Sequence, residues 1–192
     1  MANRKLIGVL ALQGDVREHL RTLQTLDVDV QEVKTPSQLA SVDALVIPGG
    51  ESTTISKLSE IFGMYQPICD AIAGGLPVLG TCAGLIMLGK ILDPSSDQKS
   101  FGGLDVSIRR NAFGNQNDSF EADLTVTGVH GLVHAAFIRA PIVVEVGPGV
   151  EVIARLEDGR IVGVRQGRCI GISFHPEVTG ENRIHKLLID TI

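Results

Sequence analysis

The residue best suited to chemistry in this sequence is Cys82, which stands where a short apolar run gives way to an apolar helical pattern. Residues 77–80 read Pro-Val-Leu-Gly and residues 83–88 read Ala-Gly-Leu-Ile-Met-Leu. Small neighbours leave the sulfur clear of the backbone, and the first N–H groups of a helix would favour a thiolate and, later in a reaction, an oxyanion. The alternative is that Cys82 is a small buried apolar residue.

A histidine and a glutamate, His175 and Glu177, flank Pro176 near the end of the sequence. Because proline disfavours helix at the residue before it, we expect both side chains to be held in an extended loop. Two positions apart, they would project to the same side, where a carboxylate can fix the tautomer of an imidazole. The alternative is a solvated surface histidine.

A third segment of interest, residues 48–54, reads Pro-Gly-Gly-Glu-Ser-Thr-Thr. Two glycines ahead of a helix permit positive φ and let a ligand approach the backbone N–H groups closely. The alternative is a plain tight turn in which Ser52 or Thr53 caps the helix.

An alternation of strand and helix patterns must position these segments. The apolar run at 6–12 predicts a strand covered on both faces, and residues 16–26 have the spacing of an amphipathic helix. We therefore predict an α/β fold with a doubly wound, flavodoxin-like mixed sheet and helices on both faces. Further strands are predicted at 29–33, 44–47 and just before Cys82, and helices at 37–40, 55–62, 66–73 and 83–92.

The second half of the sequence contains short alternating runs separated by Gly, Pro, Asn or Asp, which predict an antiparallel extension of the sheet. Hairpin turns are predicted at 157–160 and 166–168. The predicted strands are 104–108, 120–127, 136–139, 142–146, 150–156, 161–166 and 169–172, and a helix at 182–191 follows them.

Composition narrows the class of protein. The 192 residues are 44% hydrophobic and 20% charged, which fits one globular domain over 1–192. With a net charge of −5 and no basic cluster beyond Arg109 and Arg110, we expect no nucleic-acid partner. The sequence shows no apolar run long enough for a bilayer and no signal segment, so we expect no membrane association and a cytoplasmic location.

The three cysteines are an odd number without C-x-x-C spacing, so we expect free thiols and no metal site. Cys69 and Cys169 are interpreted as core thiols. We expect His130 and His134 to be solvated in a loop and His185 to lie on the exposed face of the last helix. Polar residues at the first helix start, such as Asp15, are explained by capping.

Taken in order, residues 48–50, 80–84 and 174–177 resemble the motifs of class I (triad) glutamine amidotransferases. The similarity covers nearly the whole chain. Within this class, the sequence most resembles the glutaminase subunits of pyridoxal 5′-phosphate synthase. That resemblance is carried by residues 12–19, 49–54, 110–114, 118–121 and 137–141.

The resemblance implies that Cys82 is the nucleophile, His175 its general base and acid, and Glu177 the residue that orients the imidazole. The substrate implied is L-glutamine, hydrolysed to L-glutamate and ammonia through a glutamyl thioester. Backbone N–H groups of Gly50 and Ala83 would form the oxyanion hole. The implied substrate-binding residues are Gly50, Glu51, Ser52, Arg110, Ile138 and Arg139; for either arginine, a surface salt bridge is the alternative.

The resemblance also implies a partner, a ring-forming synthase subunit that accepts the ammonia and assembles pyridoxal 5′-phosphate, and no cofactor or metal on this chain. It places the segment 12–19 on the face toward that partner and leaves open whether His19 is an interface residue. Three alternatives are kept: a glutaminase subunit of another pathway, such as histidine or anthranilate synthesis, a non-catalytic binding module on the same fold, and a stress-type cysteine hydrolase or chaperone. The last group has histidine directly after its cysteine, where this sequence has Ala83.

Overall fold

The fold is described from a computed structural model, and the described residues are 4–93, 96–110 and 119–192. In the first half, strands and helices alternate as predicted, and the predicted bounds of the second and third strands hold. The elements are β1 (Leu6–Leu10), α1 (Val16–Leu23), β2 (Asp29–Val33), α2 (Pro36–Leu39), β3 (Ala44–Ile47), α3 (Ser52–Ile61), α4 (Tyr65–Ala73), β4 (Val78–Thr81) and α5 (Ala83–Leu88).

The second half is rich in strands, and both predicted hairpin turns connect consecutive strands. Its elements are β5 (Lys90–Ile91), β6 (Val106–Arg109), β7 (Ser119–Thr125), β8 (Leu132–Ile138), β9 (Ile142–Val146), β10 (Glu151–Arg155), β11 (Ile161–Gln166), β12 (Cys169–Ile172), α6 (Pro176–Thr179) and α7 (Arg183–Ile189).

Within the described residues, a ten-stranded sheet organises the fold. Its order is β2-β1-β3-β4-β12-β11-β9-β6-β5, and β10 pairs with β11. The strands from β2 through β12 are parallel, whereas β11 is antiparallel to both β12 and β9. The 2-1-3-4 order is that of a flavodoxin-like sheet, so the predicted fold class is confirmed.

Alternate residues of the central strands face two different apolar cores, because successive strand side chains point to opposite faces. On β3, Ala44 and Val46 pack in one core with α1 and α7. Leu45 and Ile47 pack in the other core with α2, α3, α4 and α5. Both faces of the sheet are therefore covered by helices, as the continuous apolar strands predicted.

The prediction of one continuous antiparallel extension was wrong for β7 and β8, which form a separate two-stranded sheet. The apolar side chains of this hairpin, Leu124, Val133, Ala135 and Phe137, join the core on the α1 and α7 face. It lies over that face because its inward side chains are apolar, and β8 delivers Ile138 and Arg139 to the carboxyl ends of the central strands.

Two of the predicted boundaries are clearly displaced. The helix predicted to reach residue 92 ends at Leu88, because Gly89 is extended and Lys90–Ile91 pairs with β6. The strand predicted to begin at 136 begins at Leu132, so His134 lies in β8 and not in a loop, although its side chain is exposed. Predictions on residues 111–114 and on Asp118 fall outside the described residues. In the described part of the chain, no helix is long and apolar enough to cross a membrane.

Candidate active site

The carboxyl ends of four neighbouring parallel strands, β1, β3, β4 and β12, surround a cavity of about 370 Å³. The loops that follow these strands contain the segments singled out in the sequence. Ligands bind at this edge of open α/β sheets, so the cavity is the candidate active site. It is lined by Gln13, Asp15, Gly50, Glu51, Ser52, Cys82, Ile86, Arg110, Ile138, Arg139 and His175.

Cys82 occupies the sharp turn between β4 and α5. Its backbone has φ 48° and ψ −100°, a conformation that residues with a side chain rarely adopt. It is the residue that immediately precedes α5, and the backbone N–H of Cys82 donates to the Ile172 carbonyl at 2.8 Å. The turn therefore presents the thiol as the strained turn of α/β hydrolases presents its nucleophile.

Glycines on either side of Cys82 allow β4 and α5 to pack closely. A Cβ atom added to Gly80 would lie 2.5 Å from the Gly84 carbonyl carbon, and one added to Gly84 would lie 2.1 Å from the Ile47 carbonyl oxygen. Neither position has room for a side chain. The small residues recognised in the sequence are thus required by contact between backbones.

His175 and Glu177 meet as predicted, but in a different local structure. The expectation of an extended loop was wrong for Glu177, because α6 begins at Pro176 and His175 is its N-cap. Proline is favoured in the first turn of a helix, where its missing N–H leaves no hydrogen bond unmade. Glu177 is buried, and its Oε1 lies 2.7 Å from His175 Nδ1, so the imidazole donates that N–H to the carboxylate.

The electrostatics of His175 favour its charged form. Burial lowers the pKa of His175, but hydrogen bonds with Asp15, Cys82 and Glu177 outweigh burial and raise the pKa to about 12. Burial raises the pKa of Glu177, and the hydrogen bond from His175 acts in the opposite direction. A positively charged imidazole beside a cysteine is the arrangement that activates thiol nucleophiles.

Asp15 is a site residue that the sequence analysis assigned only to helix capping. Its side chain makes no capping hydrogen bond to α1, and its Oδ2 lies 3.5 Å from His175 Nδ1. The sequence feature that could have indicated a site role for Asp15 is its place after Gly14 in the loop between β1 and α1. Asp15, His175 and Glu177 bring possible metal ligands within 4.8 Å of one another, although the His175–Glu177 hydrogen bond already uses two of those atoms.

Gly49 and Gly50 lie where β3 turns into α3, as the sequence predicted. A Cβ on Gly49 would be 2.5 Å from His175 Cε1, so this glycine makes room for the imidazole. Gly50 has φ +148°, and a Cβ there would be 2.5 Å from Gln13 Oε1. The carbonyl of Gly49 accepts a hydrogen bond from the Asp15 N–H at 3.1 Å, which sets the orientation of the Gly49–Gly50 peptide.

Glu51, and neither Ser52 nor Thr53, is the N-cap of α3, and its side chain accepts the Thr54 N–H. Ser52 is buried, and its hydroxyl donates to Gln98 Oε1 at 3.0 Å. Arg110 lies 3.6 Å from Glu51 Oε1 across the cavity rim. All three residues line the cavity, as expected for substrate-binding residues.

The end of β8 completes the cavity wall. The Ile138 carbonyl lies 3.9 Å from Cys82 Sγ, and Arg139 has a positive φ of 47°. Both residues line the cavity and have exposed side chains. Every side chain proposed for substrate binding from the sequence therefore reaches the cavity of Cys82.

The expectation for His185 was wrong, because His185 is fully buried and not exposed. His19, whose place at an interface the sequence left open, is also fully buried. Nδ1 of His19 lies 2.8 Å from Nε2 of His185. The other thiols are half-buried at Cys69 and buried at Cys169, in agreement with their interpretation as packing residues, and burial raises the pKa of both.

A larger cavity of about 590 Å³ lies at the opposite edge of the sheet. Its lining includes Asp43, Pro77 and Arg168, which precede β3, β4 and β12 respectively. The lining contains no thiol and no histidine among the described residues. Size alone therefore does not identify the active site, whereas the chemistry of the smaller cavity does.

Comparison with known proteins agrees with the fold. The model of the SNO glutamine amidotransferase family matches residues 9–192. A relative from Streptomyces avermitilis, named pyridoxal 5′-phosphate synthase subunit PdxT, is 57% identical over 192 residues, covering 99% of this chain and 95% of the relative. A relative of the same name from Clavibacter michiganensis subsp. michiganensis is 57% identical over 189 residues, covering 97% and 90%.

A solved crystal structure of a glutamine amidotransferase is also similar, with a TM-score of 0.90 and 45% identity, covering 96% of this chain and 97% of its own. The fold and these similarities define the class of the protein as the glutamine amidotransferases. Within that class, the chain belongs to the SNO glutamine amidotransferase family.

Proposed function

We propose that this chain is the glutaminase subunit of a pyridoxal 5′-phosphate synthase and that Cys82, His175 and Glu177 are its catalytic triad. The observation that carries the proposal is that Cys82, in a strained backbone conformation at the N-cap position of α5, meets a buried imidazole–carboxylate pair at one cavity. The name of the relatives, pyridoxal 5′-phosphate synthase subunit, supports the assignment to pyridoxal 5′-phosphate synthesis.

The first half of the reaction forms a thioester. The Cys82 thiolate attacks the side-chain carboxamide carbon of L-glutamine, and the carbonyl oxygen becomes an oxyanion. The N–H groups of Ala83, in the first turn of α5, and of Gly50 are the donors proposed for that oxyanion. His175 then gives its proton to the amide nitrogen, the C–N bond breaks, and ammonia leaves.

The second half of the reaction regenerates the thiolate. His175, now neutral, removes a proton from a water molecule, which attacks the glutamyl thioester and releases L-glutamate. The proton that His175 gains restores the imidazolium beside the thiolate. Glu177 holds Nδ1–H throughout, so Nε2 stays directed toward the reacting atoms.

Charges in the cavity suit the backbone end of a glutamine molecule. Arg110 and Arg139 are candidates for its α-carboxylate, since a guanidinium can bind a carboxylate with two hydrogen bonds. Glu51, at the same rim, offers a carboxylate for the α-ammonium group. Gly50, Ser52 and Ile138 supply backbone and small polar contacts around the chain of the substrate.

We infer further that the chain acts as one domain and passes ammonia to a separate ring-forming synthase subunit. The cavity holds groups for the hydrolysis of an amide, and the described residues form one large sheet and one small hairpin without a second site of comparable chemistry. The name of the relatives, subunit of a pyridoxal 5′-phosphate synthase, supports another chain as the consumer of the ammonia.

The test is a glutaminase assay on the purified chain, alone and mixed with a pyridoxal 5′-phosphate synthase subunit from the same source. We expect glutamate release to rise on mixing and the complex to form pyridoxal 5′-phosphate with glutamine as nitrogen donor. A Cys82→Ala chain should still bind the synthase subunit but release no glutamate. Turnover by Cys82→Ala near that of the wild type would refute the assignment of the nucleophile.

The same assay separates the rival pathways. A glutaminase that serves histidine or anthranilate synthesis would respond to the corresponding synthase and not to the pyridoxal 5′-phosphate synthase subunit. A binding module would release no glutamate with any partner.

A further inference from the structure

The second carboxylate oxygen of Glu177 lies in a buried cluster that the triad does not use. Oε1 of Glu177 accepts from His175, whereas Oε2 has no hydrogen-bond partner among the described residues although it is buried. His19 Nε2 lies 3.5 Å from this oxygen, and both side chains are fully buried. A buried carboxylate oxygen without a donor is costly, which makes the neighbouring imidazole significant.

The neighbours of His19 determine which of its nitrogens carries the proton. Its Nδ1 lies 2.8 Å from His185 Nε2, and its Nε2 lies 3.1 Å from Thr81 Oγ1 and 3.5 Å from Glu177 Oε2. A lone pair on Nε2 would face the carboxylate oxygen, whereas an N–H there would be attracted to it. On the side of Glu177, the favourable arrangement therefore has a proton on Nε2 of His19.

Burial agrees with a neutral donor at this position. Burial first, and then the charges of His185 and His175, hold the pKa of His19 well below its ordinary value. Burial lowers the pKa of His185 to about 4. At neutral pH both imidazoles are uncharged, so His19 can donate a hydrogen bond without bringing a second cation beside His175.

The cluster connects four elements around the triad. His19 lies on α1, Glu177 on α6, His185 on α7, and Thr81 is the last residue of β4, directly before Cys82. One turn earlier along the chain, Asp15 reaches His175 Nδ1. The segment after β1 thus contacts both members of the imidazole–carboxylate pair, which gives the polar residues of 13–19 a structural role that capping did not explain.

We propose that His19 is a positioning residue for the glutaminase reaction, with its Nε2–H directed at Oε2 of Glu177 across 3.5 Å. This inference rests on the proposed function, because the triad gives the position of Glu177 its importance. His19 thereby holds the Glu177 carboxylate in the plane of the His175 imidazole. The sequence pattern around His19 does not by itself indicate this role.

The experiment compares His19→Gln with His19→Asn in the complex with the synthase subunit. The Gln side chain places an N–H donor near the position of Nε2, whereas that of Asn is one methylene too short to reach Glu177. We expect His19→Asn to lower kcat by about tenfold with little change in KM. His19→Gln should retain most of the wild-type kcat.

Leu23→Ala is the matched control for lost packing, because Leu23 lies on the same helix and is fully buried in the adjacent core. It should lower thermal stability without the selective loss of kcat. Equal kcat values for His19→Gln and His19→Asn, or a Leu23→Ala loss of kcat as large as that of His19→Asn, would overturn the inference.

A second measurement does not depend on turnover. The His175 Nδ1–H in a hydrogen bond to a buried carboxylate should give a downfield proton resonance in the isolated chain, assigned by its loss in Glu177→Gln. We expect His19→Gln to keep the resonance and His19→Asn to shift or broaden it. An identical resonance in both variants refutes the positioning role, whereas a wild-type complex that releases no glutamate refutes the proposed function instead.

Discussion

The backbone of Cys82 is held in a conformation that costs a residue with a Cβ on the order of 1–3 kcal/mol, since its φ is 48° and its ψ is −100°. Glycine adopts positive φ without this cost. The strain therefore lowers the stability of the fold because of where the backbone places the thiol, and not because of the chemistry of the thiol.

This strain predicts the order of stability of two inactive variants. We expect Cys82→Gly to be at least as stable as Cys82→Ala, although glycine ordinarily destabilises a chain by about 0.5–1 kcal/mol relative to alanine. Urea unfolding of both variants measures the difference. A Cys82→Gly variant less stable than Cys82→Ala by that ordinary amount would show that the turn is unstrained.

Glu177 has a different kind of dependence, because it acts through His175. Replacement by Gln keeps the size of the side chain but can present an amide N–H to Nδ1, which would favour the wrong tautomer. We expect kcat to fall roughly 10²- to 10⁴-fold, as when the orienting carboxylate of a serine-protease triad is replaced by an amide. Steady-state glutamate release measures it, and an unchanged kcat would remove Glu177 from the triad.

At this scale the sequence was informative wherever the backbone constrains the residue. Glycines stand on both sides of Cys82, and Pro176 separates His175 from Glu177, so local pattern marked these residues as candidates and the resemblance gave them their proposed roles. No glycine or proline next to His19 or His185 marks them in the same way. A histidine side chain on a helix is expected to be exposed to solvent unless another polar group is buried opposite it. That pairing depends on α1 and α7 meeting in space, which residue spacing does not express.

Close contact between backbones makes the β4–α5 unit a single rigid piece. Replacing Gly84 by Ala would place a methyl group 2.1 Å from the Ile47 carbonyl oxygen, so α5 must move away from β3. We expect a loss of about 1–3 kcal/mol of unfolding free energy, despite the better helix propensity of alanine. Glutamate release should also fall, because the displaced helix carries the N–H of Ala83.

A matched control is Gly63→Asn, at a position with φ +66° and no atom within 4 Å of an added Cβ. Asparagine tolerates this left-handed conformation, so stability and activity should stay near the wild-type values. Comparable losses of stability and activity in both variants would mean that the close contact between Gly84 and Ile47 has no particular importance.

The elements themselves were predicted best where burial on both faces leaves an unbroken apolar run, as in β3 and β12. Two errors have local causes: Gly89 ends α5 earlier than the apolar pattern suggested, and Pro176 starts a helix where its effect on His175 suggested a loop. The separation of β7 and β8 from the main sheet was not predictable from alternation. Alternation indicates that one side of a hairpin is buried, but it does not indicate which element packs against that side.

At the scale of the whole molecule, buried neutral histidines make stability depend on pH. Unfolded His185 takes up a proton near pH 6.5, whereas the native residue, with its pKa lowered to about 4, does not. Between these values the unfolded state binds more protons, so stability falls as pH falls. We expect His185→Phe to reduce the loss of unfolding free energy between pH 7 and pH 5 by about 2 kcal/mol.

Urea unfolding at the two pH values measures this loss. His134→Ala is the control, because hydrogen bonds with Asp123 and Glu121 raise the pKa of that exposed histidine, and its effect has the opposite sign. The His134→Ala variant should therefore lose at least as much stability on acidification as the wild type. A His185→Phe variant with the wild-type pH dependence would contradict the linkage.

The position of β12 in the middle of the sheet, paired with β4 on one side and β11 on the other, also orders events during synthesis. The strand that leads to Cys82 is made early, but the strand that leads to His175 is made near the end and must enter between two others. The contacts that close the sheet are distant in sequence, and such contacts form slowly. From the synthesis of Cys82 until that of His175, a growing chain therefore carries the cysteine without its proposed base, so the emergence of β12 and the residues after it would also mark the onset of reactivity.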